Sequence, residues 1–131
     1  MIGNFVTLKR PDYEVTGTLL CSFLTTKKAE RFVVHCPPAG FLIANRESLT
    51  ISPMVGLHID DSTLTYLFEI GDKVEKINGY RYPGIVVGNF TSLTLNNVFR
   101  SHYVVEAIND YAGMLHIFTE EQLSLRLSPD R

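Results

Sequence analysis

The chain has 131 residues, 45% of them hydrophobic, with 12 Lys and Arg against 14 Asp and Glu. That composition fits one ordinary globular domain or two very small ones, and the balanced charge argues against nucleic acid as a partner, which needs a basic face. No apolar run reaches the roughly 20 residues of a membrane-spanning helix, and MIGNFVTLKRPDY lacks the features of a signal peptide, so a cytoplasmic protein with no membrane partner is expected.

FVTLKR (5–10) reads as a first short strand. TGTLLCSF (16–23) and RFVVHC (31–36) follow as β-rich runs around LTTKKAE. Cys21 and Cys36 make no metal or redox pattern and are read as buried free thiols, with a disulfide as the minor alternative. GFLIANRESL (40–49) is apolar and then polar. PMVGLHIDDSTLTYL (53–67) places Asp60-Asp61-Ser62 between two apolar runs, the pattern of a joining hairpin rather than a cation site.

The strand types then return in the same order. DKVEKI (72–77) parallels FVTLKR, and PGIVVGNF (83–90) matches TGTLLCSF, with Gly84 on Gly17 and Phe90 on Phe23. HYVVEA (102–107) matches RFVVHC, and MLHIFTEEQL (114–123) matches GFLIANRESL, with Ile117 on Ile43, Glu121 on Glu47 and Leu123 on Leu49. The second copy carries the longer insert, TSLTLNNVFRS against LTTKKAE. Four blocks in one order indicate an internal repeat.

Each copy predicts five short strands, with a bulge or coil at Gly88 and one helical turn at TEEQL before a last strand. That set in about 60 residues describes an SH3-like barrel, marginal when alone. The expected architecture is therefore all-β: two tandem SH3-like barrels over residues 1–52 and 68–131, joined by a hairpin-like linker over 53–67.

The stretch FEIGDKVEKINGYRYPGIVVGNF, with YVVEA and GMLHIFTEEQL further on, resembles the type II, plasmid-encoded dihydrofolate reductases. The residues carrying it are Phe68, Gly71, Asp72, Lys73, Val74, Lys76, Gly84, Val86, Val87, Gly88, Tyr103, Val105, Glu106 and Leu115-His116-Ile117-Phe118. It covers about residues 68–127. Small phage and bacterial proteins with a similar Leu-x-Ile-Phe-x-x-x-Gln-Leu ending resemble it too. The resemblance implies a small barrel that assembles into a homotetramer with a central pore. It places possible ligand contacts at Lys76, His116, Ile117 and Phe118, and NADPH would be the cofactor. His116 stands where the family has Gln, and Phe118 where it has Tyr. An imidazole cannot both donate and accept as an amide does, and Phe118 lacks the phenol hydroxyl. The first copy has Leu42, Ile43 and Ala44 at those places.

Period-two alternation in MLHIF puts Leu115 and Ile117 on one face and Met114, His116 and Phe118 on the other. With Leu115 and Ile117 taken as core, the second set becomes an outward stripe suited to a homodimer. Tyr80, Arg81 and Tyr82 form the one aromatic and basic cluster, a possible binding loop. His35, His58 and His102 share no metal spacing, and His102 is expected at the surface. No catalytic set, metal site or resident cofactor emerges. The expectation is a non-catalytic binding module of phage or mobile-element origin, acting on a host protein. The alternative is a type II dihydrofolate reductase with an altered pore.

Overall fold

The computed structural model describes residues 2–37, 40–55, 65–77, 79, 82–93, 98–108 and 112–125. The protein is all-β, with two five-stranded antiparallel sheets. It divides into two compact units, residues 1–24 with 28–64, and residues 65–131 with Thr25–Lys27.

The first unit contains β1 (Asn4–Lys9), β2 (Glu14–Leu24), β3 (Glu30–Cys36), β4 (Gly40–Ala44) and β5 (Leu49–Val55), in the sheet order β4-β3-β2-β1-β5. A 3-10 turn, Arg46–Ser48, precedes β5. Asn45 caps this turn, its Oδ1 accepting from the Ser48 N–H at 3.2 Å. Alternation along the strands turns Val6, Leu19, Phe32, Val34 and Cys36 into one core, flanked by Val15, Leu42, Leu49 and Ile51. Both cysteines are buried and in no disulfide, and burial pushes the Cys36 thiol pKa up.

The second unit contains β6 (Lys73–Lys76), β7 (Gly84–Leu93), β8 (Phe99–Ala107), β9 (Leu115–Thr119) and β10 (Leu123–Leu125), in the order β10-β6-β7-β8-β9. Its 3-10 turn, Glu120–Gln122, precedes β10. The Gln122 side chain reaches back to accept from the Thr119 N–H at 2.8 Å. Phe68, Val74, Tyr82, Val86, Tyr103, Val105, Ala107, Phe118 and Leu123 form its core.

The two sheets are the same topology written twice, each with the five strands and the late 3-10 turn expected of its copy. The agreement reaches single residues. In the first unit Leu19 faces Val34 and Cys21 faces Val33, with a bulge between. In the second, Val86 faces Val105 and Gly88 faces Val104, again with a bulge between. The glycine expected at a bulge is at the bulge, and Cys21 fills the matching place in the other copy. Gly17 and Gly84 begin these ladders under the same constraint. A Cβ on Gly17 would lie 2.3 Å from the His35 carbonyl oxygen, and one on Gly84 2.6 Å from that of Glu106. His35 and Glu106 are themselves matched positions.

The copies differ in the hairpin that these strands form. The pairing of β7 with β8 continues past Thr91 and Ser101 to Ser92 with Arg100 and Leu93 with Phe99. The pairing of β2 with β3 stops at Leu24 and Glu30, the places that match Thr91 and Ser101. The long insert of the second copy is thus partly strand.

The segment expected to join the barrels divides three ways. Pro53, Met54 and Val55 complete β5, Thr65–Leu67 open the second unit, and residues 56–64, with His58, Asp60 and Asp61, lie outside the described residues.

Candidate functional site

The outer end of β9 is the place to which the sequence pointed. β8 pairs with β9 so that Tyr103 faces Phe118, Val104 faces Ile117, Val105 faces His116 and Glu106 faces Leu115. Tyr103 and Val105 are core residues, so Phe118 and His116 share the core side of the sheet. Phe118 is 2% exposed. Leu115 and Ile117 are half-buried on the opposite face.

This corrects the expected orientation of MLHIF. Leu115 and Ile117 are not core, and Phe118 belongs to no outward stripe. In a run apolar on both faces, the alternation shows two faces without saying which is in. The cross-strand partners decide it: Phe118 lies against Tyr103 on β8 and is edge-on to Tyr82 at 5.3 Å.

His116, second residue of β9, stays at the surface although it is on the core side. Its ring stacks on Phe118 at 4.6 Å and 23°, and is tilted against Tyr82 at 5.6 Å. The Tyr82 hydroxyl donates to the Met114 carbonyl at 3.0 Å. Tyr82 is 4% exposed, which removes it from the expected binding loop. Tyr80 and Arg81 lie outside the described residues. Lys76 is half-buried on β6 and lines an open surface hollow of about 430 Å³ with Glu75, Ile77 and Ser124. The four residues carried over from the resemblance therefore take four different situations: a hollow, an exposed strand start, an outer face and a core.

Elsewhere in this unit the buried polar groups are tied into the fold. The Tyr103 hydroxyl donates to Glu120 Oε2 at 2.6 Å and accepts from the N–H groups of Leu67 at 2.9 Å and Phe68 at 3.4 Å. Burial, and then the adjoining Glu120 carboxylate, push the phenol pKa far above its usual value. Glu106, 5% exposed, accepts from both the N–H and the hydroxyl of Thr26. His102 is 6% exposed, not at the surface as expected. It stacks flat on Phe90 at 5.0 Å, and its Nδ1 is 3.1 Å from the Arg100 carbonyl. The sequence reading missed the Tyr103–Glu120 and Thr26–Glu106 pairs. Neither has a local signal, because partners 17 and 80 residues apart meet only through the strand pairing.

Among the described residues, no group of three or more His, Cys, Asp or Glu could hold a metal ion. No helix among them is long and apolar enough to cross a membrane. The chain matches no family model, no curated protein and no solved structure.

Proposed function

We propose that the protein is a non-catalytic binding module, carried by a phage or other mobile element, that acts on a host protein in the cytoplasm. The observation that carries this reading is the β7–β8 hairpin. It runs two rungs past its counterpart and leaves Val98 and Phe99 each 57% exposed. Exposed large apolar side chains on a strand ribbon suit protein recognition, where a few such side chains supply most of the binding energy. The buried polar groups nearby support the reading, because they are spent on structural hydrogen bonds. The origin rests on the family resemblance alone.

The test is affinity capture from a bacterial lysate with the wild-type chain, Phe99→Ser and His116→Ala. A specific host protein held by wild type and His116→Ala but lost by Phe99→Ser is expected. Equal capture by all three chains would overturn the reading.

A second reading, an altered type II dihydrofolate reductase, is favoured by the exposed imidazole stacked on Phe118, a flat surface that a planar ligand could cover. NADPH oxidation with dihydrofolate at high protein concentration tests it. Turnover abolished by His116→Ala would move it to first place.

A further inference from the structure

We infer that β9 is a strand-pairing edge that takes the β9 of a second copy of this chain, antiparallel, with His116 on the two-fold axis. The inference is independent of the hairpin reading above.

The main-chain directions along β9 are fixed by one bond. Ala107 N–H donates to the Met114 carbonyl at 2.9 Å. Hydrogen-bonded and non-bonded positions alternate along an antiparallel pair. His116 and Phe118 therefore bond inward to β8, while Leu115 and Ile117 direct both N–H and C=O away from the sheet. Thr119 also points outward, but its N–H is taken by Gln122. Among the described residues, no side chain donates to the Leu115 or Ile117 carbonyls.

Three other edges are guarded. β5 contains Pro53, β10 is 3 residues long, and on β4 the Arg10 Nη2 donates to the Ile43 carbonyl at 2.9 Å. Ile43 is the match of Ile117, so Arg10 blocks on β4 the very group that β9 leaves open. Short strands, prolines and charged side chains are the usual means of keeping edges apart. LHIFT has no Asp, Glu, Lys, Arg or proline.

The pattern is complementary to itself. With the axis at His116, Leu115 of one copy faces Ile117 of the other. Each outward N–H then meets an outward carbonyl, and the occupied Thr119 N–H is not needed. The same register brings half-buried Leu115 and Ile117 together on the outer face. His116 meets its mate as a non-bonded pair, with Cα atoms about 4.5 Å apart.

That spacing falls in the range of about 4.4–6.8 Å that a disulfide requires. In the full-length chain, His116→Cys should cross-link into a covalent dimer under mild oxidation, far faster than Leu24→Cys at another exposed site. Cys21 and Cys36 are buried and leave the readout clean. By sedimentation velocity the wild type should show a concentration-dependent dimer. Ile117→Pro removes an outward N–H, and with it a bond of the inferred pairing, and should raise the dissociation constant at least tenfold. If circular dichroism shows that Ile117→Pro has lost its strands, His116→Asp decides, since it puts two like charges on the axis at an exposed position. A wild type that stays monomeric at its solubility limit, a His116→Asp dimer of unchanged affinity, or cross-linking no faster than Leu24→Cys would each overturn the inference.

Discussion

Tyr103 donates a hydrogen bond to Glu120 at 2.6 Å, and at the two matching places of the first unit the Arg46 guanidinium lies over the Phe32 ring, 5.2 Å from its centre. One pair of positions, a central strand and the 3-10 turn, is joined in both copies by unrelated chemistry. The second unit uses a buried polar bond. The first uses a cation over a ring, with Arg46 also paired to Glu30 at 2.9 Å in the open. The two should differ in weight. Tyr103→Phe leaves Glu120 and the Leu67 N–H without their partner and should cost about 1–3 kcal/mol. Arg46→Ala loses only an exposed, solvent-screened contact and should cost less. Urea unfolding followed by circular dichroism should rank them in that order.

The same phenol predicts alkaline behaviour. Its pKa is raised by burial and then by Glu120. A group raised on folding contributes stability that is complete below its unfolded pKa, near 10, and lost as pH rises through the folded value. Spectrophotometric titration of the tyrosines should therefore show one that ionises only as the strands are lost. In Tyr103→Phe that step should vanish.

Gly17 in β2 and Gly84 at the start of β7 should be equally intolerant. Gly17→Ala and Gly84→Ala each force a methyl group against a backbone carbonyl held in a ladder, which cannot swing aside. A loss of about 3 kcal/mol or more is expected for each, the upper end of overpacking. Thermal denaturation of the two variants checks it. A mild effect at either would mean that its ladder is looser than its twin.

Neighbours on β9 should behave in opposite ways. Phe118→Ala empties a core position and should cost about 3–5 kcal/mol. His116→Ala, at the surface, should cost under about 1 kcal/mol. Chemical denaturation of both variants gives the comparison. Phe118→Glu, which an outward stripe would tolerate, should instead fail to fold.

What could be read before any coordinates follows from locality. The bulge at Gly88 and the turn at Glu120–Gln122 depend on residues adjacent in the chain, so their signals were visible. The repeat was visible because matching strands keep matching spacings. The side of β9 that faces inward was not, because Leu115, Ile117 and Phe118 are all apolar and only pairing with Tyr103 and Val105 separates them. His102 and Tyr82 look like surface residues by type. Each is buried because an aromatic ring covers it and a carbonyl lies within hydrogen-bonding reach of its polar atom. Such partners are invisible in a window of neighbours.

The duplicated bulge has a consequence for the chain as it is made. A strand that has just left the ribosome can meet two acceptable mates, its own and the matching strand of the other copy, because both offer one register with one offset in it. Mispairing of this kind is a characteristic failure of repeated domains. What separates the right mate from the wrong one is the side chains that differ at matched places: Cys21 against Gly88, Phe32 with Arg46 against Tyr103 with Glu120, and Ala44 against Phe118. A swapped pairing would bring Arg46 to a buried phenol that needs an acceptor, or leave Phe118 facing a ring where only a methyl group fits. Divergence between the halves thus proofreads the topology that they share.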